Sequence, residues 1–259
     1  MKYRKYDANV ARATIYVIPG SHPAMAARRM LEHKGIAHKR VDLLPVLSRA
    51  VLKAMRFPGV TVPSLKVDGQ RITGSRAISA ALEKIEPEPP LFPADPSARV
   101  AVEDAERWGD EILQDAVRRI LWNAIKRDKG PLRSYTEGAR LGVPTGLAMA
   151  TAAPVIAAEL RINDVTDSAV AADLAAFPGW LERIDGWIAA GVLGGDQPNA
   201  ADFQIAAGLR LAMTLEDLRP AIASRPAGEL ALRLVPEFPG HVPPIMPAAW
   251  LEPLRAAAA

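Results

Sequence analysis

Residues 59–78 read GVTVPSLKVDGQRITGSRAI, and this stretch decides the fold of the first part of the chain. Two short alternating runs, residues 64–67 and 70–73, flank Asp68-Gly69, a strong sequence signal of a two-residue β-hairpin turn. Pro63 cannot donate to a sheet ladder, so it marks a strand start or a sheet edge, and a cis bond after Val62 is compatible with that place. The stretch therefore predicts an antiparallel hairpin.

A helix is predicted directly after this hairpin. Apolar residues recur at helical spacing beyond Gly74-Ser75, at Ala77, Ile78, Ala81, Leu82 and Ile85. Ser75 is placed to cap this helix. A helix start with a hydroxyl and free backbone N–H groups can bind an anion.

The residues upstream predict a strand, a helix and a second strand joined in a right-handed crossover. Residues 14–18 form a β-branched run, residues 23–33 have apolar positions at helical spacing, and residues 37–43 alternate. An irregular helix over residues 45–57 then leads to the hairpin. The polar residues 1–12 predict a frayed arm.

A proline-rich connector divides the chain. Residues 86–96, EPEPPLFPADP, contain five prolines and can neither continue a helix nor join a sheet interior. Beyond it, long helical periodicity replaces the strand patterns. We expect one long helix over residues 97–128, and a helix over residues 167–190 that Pro178 kinks or breaks. Residues 141–158, which carry no charge, are expected to form buried helix and loop rather than a membrane span.

The end of the chain has two further features. Asn199, followed three residues later by Asp202, predicts a capping box that opens an apolar helix. Residues 236–247 contain too many prolines for regular structure and predict an extended strap across the surface.

The order Val-Pro-x-Leu, strand, Asp-Gly, strand, x-Ser-x-Ala-Ile, helix resembles the second half of the thioredoxin-like domain of glutathione transferases. The upstream half resembles that family too, through Ser21, an Arg seven residues later, and Lys34-Gly35-Ile36. The resemblance implies an α/β thioredoxin-like N-terminal domain followed by an all-α C-terminal domain. We expect the first at residues 1–86, a linker at 87–97, and the helical domain with its extended tail at 98–259.

The resemblance also implies a binding site for glutathione. Val62 would offer its backbone to the cysteinyl part, beside Pro63. Gly74, Ser75 and Arg76 at the helix start would hold the γ-glutamyl part, with Ser75 on its carboxylate. A purely structural hairpin and helix is the alternative interpretation of this stretch.

Two neighbouring residues are candidates for activating the thiol. Aligned on Lys34-Gly35-Ile36, Ser21 lies where serine-type transferases keep the hydroxyl that stabilises the glutathione thiolate. A helix start favours such an anion. His22 takes this role instead if the loop register slips by one. The alternatives are a simple helix cap for Ser21 and a solvated loop histidine for His22.

Other positions are candidates on weaker grounds. In the family this region supplies basic or polar contacts to the glycyl carboxylate, and Arg49, Lys53 and Arg56 are the residues available for it here. Tyr135 could face a ligand cleft, although core packing is the commoner role of such a tyrosine. His241 and Trp250 lie in the tail, which in the family forms a wall of the hydrophobic substrate cleft.

One departure from the family bears on function. Gly74 stands where most members carry Glu or Gln, and losing such a charged contact weakens binding by roughly 1.5–3 kcal/mol. The leading prediction is addition of glutathione to a hydrophobic electrophile. A catalytically silent binding or scaffold protein is the alternative, and an enzyme that uses another small thiol is a third.

Composition excludes several other functions. The chain has no cysteine, so it cannot form disulfides, use a thiolate nucleophile or run a dithiol redox cycle. Its four histidines show no metal-ligand spacing, and the net charge of +3 comes without a basic run that would favour nucleic acid. No signal peptide is visible, so we expect a cytoplasmic protein. The family resemblance implies a homodimer.

Overall fold

The structure, a computed structural model, describes residues 12–142, 144–150 and 152–257. The first elements alternate strands and helices: β1 (Ala13–Val17), α1 (His22–His33), β2 (His38–Asp42), α2 (Pro45–Ala54), β3 (Ser64–Val67), β4 (Gln70–Thr73) and α3 (Ser75–Ile85). The strands form one mixed sheet in the order β2-β1-β3-β4. Strand β1 is parallel to β2 and antiparallel to β3, which is antiparallel to β4.

The hairpin that organises this sheet is confirmed to the residue. Asp68 and Gly69 have φ values of 47° and 81°, as a tight hairpin turn requires at both central positions. The bond between Val62 and Pro63 is cis. Gly74 continues from the hairpin, and its N–H donates to the carbonyl of Pro63 at 2.9 Å.

The prediction that Ser75 caps α3 is wrong. Gly74 occupies the N-cap position, with φ 96°, and Ser75 is the first helical residue. Glycine tolerates this positive φ, which a residue with a side chain rarely adopts. The Ser75 hydroxyl is therefore not used in capping and is available to other groups.

The second half of the described chain is helical. Its elements are α4 (Pro96–Trp108), a π-helical turn (Gly109–Leu113), α5 (Gln114–Arg127), a 3₁₀ segment (Gly130–Thr136), α6 (Thr145–Ala150), α7 (Ala152–Ile162), α8 (Asp167–Ala189), α9 (Ala200–Ala212), α10 (Arg219–Ala223), α11 (Pro226–Leu234) and α12 (Ala248–Ala256). The long helix predicted from residue 97 thus contains a π-helical turn, and α8 runs unbroken through Pro178.

The two halves pack around α9. All of its residues are buried, and α1 and α3 from the sheet half contact it, as do α4, α5 and α11. The predicted capping box at its start is confirmed, because the Asn199 side chain accepts from the Asp202 N–H and the Asp202 carboxylate accepts from the Asn199 N–H. The cap fixes where this central helix begins.

Two surface segments complete the fold. Residues 141–158 were expected to be buried, but α6 and α7 lie mostly at the surface, and only Ile156 of α7 is buried among the described residues. The strap at residues 236–247 has no helix; it forms one β-bridge, Val242 with Leu215, and the Asp217 carboxylate accepts from the N–H groups of Ile245 and Met246. Within the described residues, no helix is long and apolar enough to cross a bilayer.

Candidate functional site

Three predicted site segments meet at one edge of the sheet. Strand β3 starts where the antiparallel β1 ends, since Tyr16 pairs with Ser64, and β4 ends where β3 starts, since Ser64 pairs with Thr73. The turn after β1 carries Ser21, whose N–H donates to the Ile18 carbonyl at 3.1 Å. The N-termini of α1 and α3 and the cis bond at Pro63 therefore lie along the same edge.

Ser21 is the N-cap of α1, so the capping interpretation is confirmed. Its Oγ accepts from the backbone N–H of Ala24 at 3.4 Å. This contact uses a lone pair of the oxygen and leaves the hydroxyl hydrogen free to donate. Capping and donation to a bound anion are therefore compatible.

His22 is the first residue of α1 and only 3% exposed, so the interpretation as a solvated loop histidine is wrong. Burial, and then the positive charge of Arg118, lower the pKa of His22 well below its usual value. Its Nε2 has no hydrogen-bond partner within the part of the chain that the structure describes. His22 is thus a neutral imidazole next to Ser21.

Ser75 faces the helical half. Its Oγ donates to Oδ1 of Asp110 at 3.4 Å, and the amide of Gln204 on α9 donates to the same oxygen at 3.4 Å and to Oε1 of Gln114 at 3.2 Å. Burial raises the pKa of Asp110, against the nearby positive charge of Arg76. The start of α3 therefore meets a half-buried carboxyl group of the other half of the chain.

The groups opposite the sheet edge lie along one side of a single helical run. Asp110, Gln114 and Arg118 follow each other at intervals of four residues, and eight residues of helix rise roughly 12 Å. Asp110 contacts Ser75 at one end, and Arg118 lies close to His22 at the other. These residues form a polar strip about this long, with Ser75 at one end and Arg118, whose charge acts on His22, at the other.

A second acidic group lies one turn before Asp110. Glu106 on α4 is 4% exposed, and its Oε1 is 2.6 Å from Oγ of Ser79 on α3. Burial, partly offset by the Ser79 hydrogen bond, raises the pKa of Glu106 to about 7. This pair joins the two halves beside the candidate site.

The remaining candidates lie elsewhere. Arg49, Lys53 and Arg56 are exposed on α2 and the turn after it. Trp250 packs under the Arg127 guanidinium, 4.9 Å from the ring centroid, and His241 lies 3.4 Å from Glu216. Tyr135 is 4% exposed and packs in the core. Within the described residues, no group of acids and histidines could hold a metal ion.

Sequence reasoning missed the groups that face the sheet edge: Asp110, Gln114, Arg118 and Gln204. On an amphipathic helix, polar residues at four-residue intervals are typical of a solvated face. Of these residues, only Gln204 could have been singled out from the sequence. A glutamine in a mostly apolar helix needs hydrogen-bond partners when it is buried.

Comparison with known proteins supports the fold. The family model for the glutathione S-transferase N-terminal domain matches residues 15–90. A probable maleylacetoacetate isomerase of Caenorhabditis elegans is 42% identical over 69 residues, which are 27% of this chain and 32% of the relative. The match thus spans about a third of that relative's length.

Solved structures extend the similarity to the helical half. A glutathione S-transferase from Sinorhizobium meliloti 1021 has a TM-score of 0.55 at 19% identity, covering 93% of this chain and 98% of that one. The glutathione-bound theta class glutathione S-transferase from Xanthomonas axonopodis pv. citri has a TM-score of 0.54 at 16% identity, covering 87% and 98%. The predicted fold class, thioredoxin-like and then all-helical, is confirmed. Residues 15–90 thus match the glutathione S-transferase N-terminal domain, and the fold of the chain is similar to that of solved glutathione S-transferases.

Proposed function

We propose that the protein is a glutathione S-transferase-like enzyme that adds glutathione, or a similar small thiol, to a hydrophobic electrophile. One observation carries this proposal: the N-termini of α1 and α3 and the cis bond at Pro63 lie at one sheet edge, opposite the strip from Asp110 to Arg118. Helix N-termini favour anions, and glutathione carries both carboxylates and, when activated, a thiolate.

The dimensions of the site suit a tripeptide. Three extended residues span at most about 11 Å. The strip from Asp110 to Arg118 is roughly 12 Å long. A ligand bound at α3 by its γ-glutamyl carboxylate would therefore extend along this strip, with the thiol of its middle residue directed towards the start of α1, where Ser21 lies.

In the proposed reaction the bound thiol is the nucleophile. Ser21 donates its hydroxyl hydrogen to the sulfur, which lowers the thiol pKa and releases its proton to solvent. The backbone at Val62 aligns the cysteinyl part. The thiolate then forms a C–S bond with the electrophilic carbon, and the electron pair of the broken bond leaves with the leaving group or takes up a proton in an addition.

Asp110 offers the acidic group that Gly74 lacks. Its carboxyl group is 3.4 Å from the Ser75 hydroxyl and comes from the helical half rather than from the residue before Ser75. A carboxylate beside the carboxylate-binding helix start suits the ammonium group of a γ-glutamyl head. The replacement of Glu or Gln by Gly74 is therefore compatible with glutathione binding.

The test is retention on immobilised glutathione followed by conjugation of a chlorinated aromatic electrophile. We expect Ser21→Ala to lower kcat by about tenfold to a hundredfold because the thiolate loses a hydrogen-bond donor. Ser224→Ala is the matched control, since this exposed serine bonds only to the Pro220 carbonyl 3.2 Å away. Wild-type protein that neither binds nor conjugates glutathione, but turns over with another small thiol, would point to that thiol instead. Absence of turnover with any thiol would favour the inactive binding protein.

A second reaction deserves a parallel assay. The relative that is 42% identical over 69 residues is called a probable maleylacetoacetate isomerase. In a thiol-dependent isomerisation the thiol adds to a double bond and leaves again unchanged. Conversion of maleylacetoacetate without net consumption of glutathione would identify this reaction.

We also propose that the protein forms a homodimer, as the family resemblance implies. An open groove of about 530 Å³ lies between α4 and α8, with Trp108, Trp187 and Arg183 among its lining residues. Asp104 and Glu111 lie in the same groove as Arg107 and Arg183, so two copies related by a two-fold axis could pair opposite charges. Light scattering of the wild type and of Trp187→Ala tests this assembly.

A further inference from the structure

The ring of Tyr135 is held between two glycines from distant parts of the chain. A Cβ atom placed on Gly20 would lie 3.0 Å from Cδ1 of Tyr135, and one placed on Gly240 would lie 2.2 Å from Cε1. Both glycines have positive φ, 76° and 109°. The ring therefore packs directly on the backbone of two loops, which a larger residue at either place would prevent.

The hydroxyl of this tyrosine is fixed as well. Tyr135 Oη is 2.6 Å from Oγ1 of Thr214, and Thr214 donates its only hydroxyl hydrogen to the carbonyl of Leu211 at 2.6 Å. Tyr135 is consequently the donor in the first bond. Burial raises the pKa of Tyr135, so the phenol keeps this hydrogen at physiological pH.

The segment around Tyr135 bridges the strap and the sheet. The Ser134 hydroxyl accepts from the His241 N–H at 2.9 Å, which joins the segment to the strap. The Arg140 N–H donates to Oδ2 of Asp42 at 2.6 Å, at the end of β2. Next to Asp42, the Leu43 N–H donates to the carbonyl of Val17, the last residue of β1. The segment thus crosses the edge from which the turn before α1 emerges.

Gly20 connects this bridge to the candidate site, because it directly precedes Ser21. The turn from Ile18 to Ser21 is closed by one backbone hydrogen bond of 3.1 Å. A ring packed on Gly20 limits how far the turn can move away from the sheet edge. The three atoms nearest to a Cβ placed on Gly20 all belong to Tyr135.

We propose that Tyr135 is a positioning residue that holds the turn before α1, and through it the hydroxyl of Ser21, in place for the bound thiol. The strap completes the arrangement, since Gly240 also packs against the ring. This inference rests on the proposed thiol chemistry only for its catalytic consequence. The mechanical part, the fixing of the turn, holds for the protein without ligand.

The experiment compares four variants with the wild type by two readouts. Tyr135→Ala removes the ring, and Tyr135→Phe keeps the ring but not the hydroxyl. Gly240→Ala pushes a Cβ into the ring, whereas Gly138→Ala, at φ 69° in the same segment with nothing within 4 Å, carries only the backbone strain. The first readout is amide hydrogen exchange at Ser21 without ligand. The second is the pH dependence of glutathione ionisation on the enzyme, with kcat and KM.

In Tyr135→Ala and Gly240→Ala we expect exchange at the Ser21 amide to be about tenfold faster or more. The apparent pKa of the bound thiol should rise by about one unit, and kcat should fall about tenfold. KM for glutathione should change by less than about threefold, because α3 still holds the other end of the ligand. Tyr135→Phe, which keeps the ring, should give an exchange rate, a thiol pKa and a kcat close to those of the wild type. Gly138→Ala should match the wild type.

Two results would overturn the proposal: unchanged exchange at Ser21 in Tyr135→Ala, or faster exchange with an unchanged pH profile in an active enzyme. A failure of the proposed function looks different. The wild type would then bind no glutathione, while the exchange at Ser21 would still depend on the Tyr135 ring and support its positioning role.

Discussion

At the scale of single residues, Glu106 shows how the contact between the two halves depends on protonation. Ser79 Oγ lies 2.8 Å from the Arg76 carbonyl and 2.6 Å from Glu106, and it has one hydrogen for two acceptors. A protonated Glu106 resolves this conflict, because it donates to Ser79, which in turn donates to Arg76. The geometry therefore agrees with the raised pKa.

We predict that Glu106→Gln stabilises the protein at alkaline pH. Folding raises the Glu106 pKa from 4.5 to about 7, so the wild type has its full stability below pH 4.5 and loses part of it as the pH rises through 7. Glutamine donates to Ser79 at every pH. The variant should gain up to about 3 kcal/mol in the free energy of unfolding above pH 8 and little near pH 4.

Urea unfolding at several pH values measures this effect. Glu103→Gln on the same helix is the control, because Glu103 is about half exposed and pairs with Arg99 at the surface. A difference between Glu106→Gln and the wild type that does not grow with pH would show that folding does not raise the pKa of Glu106.

At the scale of the element, α9 depends on its N-cap because the first turn of this helix is buried, and water cannot take the place of the cap. Asn199 accepts from the Asp202 N–H at 3.1 Å and donates to the Val192 carbonyl at 2.8 Å, and Asp202 is 0% exposed. A helix start without these bonds would leave buried polar groups unpaired.

We therefore predict that Asn199→Ala lowers the free energy of unfolding by about 2 kcal/mol, the upper end for a lost cap. The matched comparison is Thr166→Ala, which removes the exposed cap of α8, where Thr166 Oγ1 accepts from the Ala169 N–H at 3.1 Å. Water can replace this second cap, so its loss should be about 1 kcal/mol or less. Equal losses in urea titrations would contradict the role of burial.

The hairpin and the π-helical turn show which elements the sequence could predict and which it could not. The hairpin was predicted to the residue because Asp68-Gly69 and Pro63 act on their immediate neighbours. The π-helical turn was not, because no local pattern distinguishes it in a long amphipathic run. At this turn Gly109 lies against α9, where an added Cβ would be 3.0 Å from Cγ1 of Ile205. The turn is thus associated with a close helix contact.

At the scale of the whole molecule, α1 and α9 join the sheet half to the helical half. The rings of His33 and Phe203 lie 5.4 Å apart between them. Beside this contact, the fully buried Nζ of Lys34 pairs with Glu83 at 2.6 Å and donates to the Pro87 carbonyl in the connector. These contacts tie both halves to the connector, so we expect them to unfold together.

We predict that Phe203→Ala destabilises both halves in one transition, by about 3–5 kcal/mol for a buried aromatic ring. All five tryptophans lie in the helical half, so their fluorescence reports on that half, while hydrogen exchange of the β1 and β3 amides reports on the sheet half. Separate midpoints for the two probes would show that the halves fold independently.

The sequence by itself determined the local structure of this protein: the hairpin, the cis-compatible bond before Pro63, the connector and the cap at Asn199. Each depends on residues a few positions apart. Only the tertiary structure decided which polar groups face the candidate site. Asp110 meets Ser75 across 35 positions and Gln204 across 94, and a polar residue on a helix has the same sequence pattern whether it faces water or another domain. The packing of the two halves around α9 determines which of these polar residues face the candidate site.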